Sequence, residues 1–269
     1  MMREGRNLHA PDGTAYTVLG EGEPLVLVHG VGMQHGVWAP QIDALARTHR
    51  VVAYDMLGHG GSPLPRADAA LGDYAAQLEG LLDHLGIPAA NVAGHSMGAL
   101  VAIEFALLHP SRTWRLAALN AVFRRTPEQR AAVQSRAATL NQAGVQATIG
   151  STIARWFGEP VPVALQPMAN NVAGYLRDVQ PEGYARTYKL FASSDEAHAG
   201  RLHRLSMPTL FLTGEHDANS APEMSRAMGR EVPHAVVEIV PGERHMMNVV
   251  APEAVNQSLL RWLAAPSAK

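Results

Sequence analysis

Gly94-His95-Ser96-Met97-Gly98 follows the short run Asn91-Val92-Ala93 and opens the apolar stretch Met97–Leu108, which His109-Pro110 closes. The run before it has the length of a strand, and the stretch after it reads as a helix stopped by proline. A serine between the two sits on a tight strand-to-helix turn that holds its hydroxyl out above the sheet. Glycines are needed at 94 and 98 because side chains there would collide with the neighbouring strand and helix. The helix start beneath Ser96 offers unpaired N–H groups and a partial positive charge.

Outward from this turn the chain alternates. On the N-terminal side, Asn7–Ala10 and Thr14–Leu19 read as a hairpin around Pro11-Asp12-Gly13. Leu25-Val26-Leu27-Val28 is a continuous apolar run, as in a strand buried on both faces. Helical Ile42–Leu45, the strand Val51–Tyr54 and helical Tyr74–Leu85 follow, the last with Leu78, Leu81, Leu82 and Leu85 on one stripe. After Ser96 come the strand Leu116–Leu119 and, much later, the strand Thr209–Leu212, a helix near Pro222–Met228, the strand Val236–Val240 and a helix over Pro252–Leu263. Such alternation predicts an α/β fold with a mostly parallel central sheet flanked by helices. Between the two halves, Phe123 to His203 is helical in pattern and punctuated by Pro160, Pro162, Pro167 and Pro181. We read residues 1–122 and 204–269 as one core domain and 123–203 as a helical cap inserted between two sheet strands.

A serine hydroxyl is a weak nucleophile in neutral water and needs a base, and the base needs an orienting acid. Gly214-Glu215-His216-Asp217 and Gly242-Glu243-Arg244-His245 each follow a strand, and active sites of open α/β sheets assemble at such strand ends. Asp217 is the expected acid and His245 the expected base. Glu215 is longer and closer to its strand, so it reaches an imidazole less well. After Leu119-Asn120-Ala121-Val122, the other place for an acid, no carboxylate occurs before Glu128. His95 is expected to point away from the base and to serve packing or polarity. In His29-Gly30-Val31-Gly32-Met33 the glycines let backbone approach a substrate oxygen; the N–H groups of Val31 and Met97 are the expected oxyanion donors. Asp55-Met56-Leu57-Gly58-His59-Gly60-Gly61-Ser62 reads as a structural loop in which Asp55 fixes the backbone. Within the cap, Arg124, Arg125, Arg155, Trp156, Tyr184 and Tyr188 are the candidates for contact with substrate.

Composition narrows the chemistry. Lys+Arg 22 against Asp+Glu 24 gives a net charge of −2, which argues against a nucleic-acid partner. The absence of cysteine removes disulfides, thiolate metal sites and cysteine nucleophiles. No His-Glu-x-x-His run or other clustered ligand pattern occurs, so neither metal nor cofactor is expected. The N-terminal MMREGRNLHAPDG lacks a following apolar segment and no run is long enough to span a bilayer, so a cytoplasmic protein with no membrane partner is expected.

His29-Gly30, Asp55-x-x-Gly58-x-Gly60-x-Ser62, the Ser96 turn, Gly214-x-x-Asp217 and Gly242-x-x-His245, in that order, resemble the α/β-hydrolase superfamily over essentially the whole chain. The tail from His245 to Asn256 is similar to that of 3-oxoadipate enol-lactonases and related small-acid hydrolases. The resemblance implies a cofactor-independent serine hydrolase of a small carboxylic ester or lactone, working through an acyl-enzyme. A cationic cap residue would then suit a carboxylate-bearing substrate. Hydrolysis of an amide or of a C–C bond is the second expectation. C–C hydrolases of meta-cleavage products usually carry Asn where this chain has His95. Acyl transfer, perhydrolysis and non-catalytic ligand binding are weaker alternatives on the same scaffold.

Overall fold

A computed structural model describes residues 8–267. Eight strands form one sheet: β1 (Leu8–His9), β2 (Ala15–Leu19), β3 (Glu23–Val28), β4 (His49–Tyr54), β5 (Ala90–His95), β6 (Thr113–Leu119), β7 (Thr209–Gly214) and β8 (Val236–Val240). Their order across the sheet is β1-β2-β4-β3-β5-β6-β7-β8. The β1–β2 and β2–β4 pairs are antiparallel and all the other pairs are parallel. The expected hairpin is therefore present, with Asn7 lying outside the described residues, as do the first residues of the chain. Leu25–Val28 is completely buried, as a strand covered on both faces must be.

Ten α-helices accompany the strands among the described residues: α1 (Ala39–Leu45), α2 (Leu71–His84), α3 (Met97–Leu108), α4 (Pro127–Ala143), α5 (Gln146–Phe157), α6 (Gln166–Asp178), α7 (Pro181–Ser193), α8 (Pro222–Glu231), α9 (Met247–Val250) and α10 (Pro252–Leu263). None is long and apolar enough to cross a membrane. Nearly every residue of α3 is buried, because it is apolar on all sides and packs against β5 and β6. Helices α4–α7 all fall between β6 and β7 in the chain. α4 starts with Pro127 at its first position and a reciprocal Thr126–Gln129 capping box. α4 packs on α7 and α5 on α6, and Val133, Trp156, Val172, Leu176 and Tyr184 join the same apolar core as the sheet.

Register places the functional end. Val28 pairs with Gly94, Gly94 with Ala118, Ala118 with Phe211, and Gly214 with Val240. The segments just beyond these residues, around His29, Ser96, Asn120, Asp217 and His245, therefore emerge at one edge of the sheet.

Candidate active site

Ser96 has φ 57 and ψ −117, a strained conformation for a residue with a side chain. The two glycines around it are required as anticipated. A Cβ on Gly94 would lie 2.0 Å from the Gly98 carbonyl oxygen, and one on Gly98 would lie 2.2 Å from that of Val28. The turn thus presses β5, α3 and the end of β3 together, and Ser96 stands at their junction.

His245 Nδ1 lies 2.8 Å from Asp217 Oδ2. A carboxylate only accepts, so Nδ1 carries the proton and Nε2 is left as the free acceptor. Asp217 is saturated: Oδ2 also accepts from Asn120 Nδ2 at 2.7 Å, and Oδ1 accepts the N–H groups of Asn219 at 2.8 Å and Ser220 at 3.2 Å. Burial on its own pushes this carboxyl up. The neighbouring His245 and the bonds from His245, Asn120 and Asn219 outweigh it and hold the group below the usual carboxylate range. Glu215 instead accepts from the Gly242 N–H at 2.8 Å. Among the described residues, no hydrogen bond joins the Ser96 hydroxyl to the imidazole; the two are neighbours through His95.

His95 corrects an expectation. Its Nε2–H donates to the His245 carbonyl at 2.8 Å, and the two rings lie 4.9 Å apart. Burial, then the adjacent His245, lowers its pKa to about 3, so it is neutral. His95 is the last residue of β5, just before the positive φ of Ser96, and its ring lies beside the imidazole instead of away from it.

The turn at 29–33 is held by its neighbour at 55–62. His29 Nε2 accepts the Met56 N–H at 2.9 Å, and His59 Nε2 accepts the Gly32 N–H at 2.9 Å. Asp55 accepts the N–H groups of His35 at 2.7 Å and Gly61 at 2.9 Å. Gly32's donor is thus committed to His59 and Met33's to the Gly30 carbonyl, while Val31's carries no such bond. Met97, the other expected donor, is the first residue of α3, where N–H groups lack partners within the helix.

The six cap candidates separate. Tyr184 and Tyr188 line a cavity of about 110 Å³ together with Arg136, Thr139, Leu140, Ala147, Thr148, Ser151 and Thr152. Arg155 reaches Thr152 with one guanidinium nitrogen and Asn219 with another, and Trp156 stacks on His245 with ring centroids 5.4 Å apart. The structure places Arg124 and Arg125 elsewhere. Arg124 is exposed and paired with Glu231, and Arg125 is buried against Asp195, so both charges are already matched. Arg136 is the residue that sequence reading missed. Its Nε donates to the Tyr188 hydroxyl at 3.2 Å. Neither Arg136 nor Arg155 has a carboxylate partner within ion-pair distance among the described residues. Burial, then the charge of Arg136, pushes the Arg155 guanidinium down. No cluster of three or more metal-ligating side chains occurs among the described residues.

The family model for the α/β hydrolase fold matches residues 23–252. The chain belongs to this family. It is 39% identical over 249 residues to an (E)-2-((N-methylformamido)methylene)succinate hydrolase of Acinetobacter baylyi, covering 92% of this chain and 93% of that protein. It is 27% identical to a 3-oxoadipate enol-lactonase of the same organism, over 85% of this chain and 84% of that one. Among solved structures, the enol-lactonase from Burkholderia xenovorans superposes with a TM-score of 0.85 at 26% identity, covering 93% of this chain and 96% of that chain. This α/β hydrolase is thus a hydrolase with small-acid hydrolases among its relatives.

Proposed function

We propose that this α/β hydrolase cleaves an acyl–nitrogen or acyl–oxygen bond in a small substrate that carries carboxylates, with Ser96 as nucleophile. The observation that carries this reading is the strained Ser96 turn at the same end of the sheet as the Asp217–His245 pair; a cavity lined by Arg136, which has no carboxylate partner within ion-pair distance among the described residues, supports it. His245 Nε2 takes the Ser96 proton as Oγ attacks the carbonyl, and Asp217 stabilises the imidazolium. The Val31 and Met97 N–H groups receive the oxyanion. Collapse of the tetrahedral adduct expels the leaving group, which takes the proton from His245. Water then enters, is deprotonated by His245, and releases the acid from Ser96.

Residues 123–203 act as the cap in this reading, and Arg136 with Arg155 supplies the positive field that holds the carboxylates. The sequence alone put esters and lactones before amides. The relative at 39% identity moves amides forward, because the substrate in its name is an N-acyl derivative of a methylenesuccinate. An enol lactone and an N-acyl enamine share a feature: the heteroatom that leaves is bound to an alkene carbon. The same nucleophile and base can serve both.

The test compares an N-acylaminomethylene-succinate, 3-oxoadipate enol-lactone and p-nitrophenyl acetate. The N-acyl dicarboxylate is expected to give the highest kcat/KM. Ser96→Ala is expected to lose about four orders of magnitude in kcat, and a fluorophosphonate is expected to label Ser96 in the wild type. Arg136→Gln is expected to raise KM for the dicarboxylate while leaving p-nitrophenyl acetate unaffected. Turnover retained by Ser96→Ala would overturn the assignment of the nucleophile.

A further inference from the structure

The last turn of α5 carries Arg155 and Trp156 side by side, and each reaches one member of the Asp217–His245 pair. The Trp156 indole lies on the His245 imidazole with centroids 5.4 Å apart and planes at 29°. Arg155 Nε donates to Asn219 Oδ1 at 2.9 Å, and the Asn219 N–H donates to Asp217 Oδ1 at 2.8 Å. One helix turn from the segment between β6 and β7 therefore contacts the base directly and the acid through a single intervening residue. We propose that Trp156 and the Arg155–Asn219 link are positioning elements, which make the base competent only while α5 is seated against it. This rests on the reading of His245 as the base of the hydrolytic reaction.

The physical need is specific. A hydrogen bond at Nδ1 fixes one atom of the imidazole, but the terminal torsion of a histidine is broad and the ring can still rock about that contact. Rocking swings Nε2 away from Ser96, and a misplacement of about 1 Å can cost about 100-fold in rate. The His95 ring limits the imidazole from the end of β5, and the Trp156 ring limits it from α5. Trp156 is almost wholly buried, so its ring cannot swing out without moving the helix. Asn219 is bound through both its backbone and its side chain, so the loop after β7 is tied to α5 at the residue that fixes Asp217 Oδ1.

Four variants test this with p-nitrophenyl acetate turnover and with the rate of fluorophosphonate labelling, neither of which depends on the natural substrate. Trp156→Ala is expected to lower kcat and labelling about 100-fold, with KM moved less than about threefold. Trp156→Phe keeps a ring on the imidazole and is expected to stay within about threefold of wild type in both. Asn219→Ala, at a half-buried site where folding is not at stake, is expected to lose about tenfold in kcat. Phe157→Leu perturbs the same helix turn without touching His245; it is expected to lower Tm and leave kcat unchanged. The proposal is overturned if Trp156→Ala and Asn219→Ala both keep wild-type kcat, if Trp156→Phe is as impaired as Trp156→Ala, or if Phe157→Leu costs as much. Wild-type protein that a fluorophosphonate does not label defeats the hydrolase reading instead, and this positioning role with it.

Discussion

Asp217 is surrounded by four donors, and Asn120, immediately after β6, contributes one of them. Asn120 sits at the end of β6 with φ 50, a left-handed conformation that Asn tolerates better than most residues. Its Nδ2 shares Asp217 Oδ2 with the imidazole. A hydrogen bond to a charged group contributes about 1.5–3 kcal/mol. Asn120→Ala is therefore expected to cost about that much stability in urea unfolding and to lower kcat. Asn120→Asp sets a second carboxylate 2.7 Å from the first in a buried site. Like charges that close raise the apparent pKa of the pair, so the acid limb of kcat/KM is expected to move to higher pH. An unmoved limb in a pH–rate profile would reject the shared role. Ser96, Asp217 and His245 were legible because each stands in a glycine-marked turn after a strand. Asn120 was not, because the acid it supports follows a different strand, and an amide that supports a carboxylate from a neighbouring strand has no mark in the sequence.

At the scale of elements, α6 and α7 meet the loops that follow β3 and β4 at glycines. A Cβ on Gly183 of α7 would lie 2.4 Å from the Gly58 carbonyl oxygen, and one on Gly32 would meet Leu176 of α6 and Tyr184 of α7. Gly183→Ala must push α7 off the 55–62 loop, and overpacking of this kind costs about 1–3 kcal/mol. Tyr184 moves with it, so KM is expected to rise as well. Gly174, inside α6, has nothing within reach of an added methyl. Gly174→Ala is expected to be neutral or stabilising by about 0.5–1 kcal/mol. Urea midpoints for the pair check both signs, and equal losses would mean that the Gly183 contact is not special. Most strand and helix positions were readable from apolar runs, and Met97–Leu108, Val236–Val240 and Pro252–Leu263 agree end for end with the sequence reading. The segment between β6 and β7 was legible as helical but not in its facing. α4 buries only Val133 and Leu140 and is polar nearly all round, so its pattern gives little sign of where Arg136 points. Arg125 looked available for substrate because Asp195, its buried partner, lies 70 residues further along the chain.

For the whole molecule, the histidines that wire the site together also set its tolerance of acid. His29, His59 and His95 are fully buried and neutral, and burial is the main cause that lowers them from 6.5 to about 4, about 3 and about 3. The unfolded chain takes up a proton at each as pH falls through 6.5, while the folded chain does not. Stability then falls with falling pH, by about 1.4 kcal/mol per group for each pH unit below 6.5 until the folded value is reached. The stabilisation is complete above pH 6.5 and is lost from there down to about 4 for His29 and about 3 for His59 and His95. Asp217, held below the carboxylate range in the folded state, adds a further loss in the same direction at still lower pH. A protein of this size with an ordinary net stability of about 5–15 kcal/mol would unfold within that window. Urea midpoints at pH 7.5, 6.0 and 5.0 are expected to drop steeply below pH 6. His59→Gln separates the cause. Its amide can still accept from the Gly32 N–H and donate to the Leu57 carbonyl, as His59 does, but it cannot take up a proton. Its stability is expected to fall less steeply, by one proton's worth of slope between pH 6 and 5; a slope equal to that of the wild type would show that His59 is not among the groups that destabilise the fold in acid.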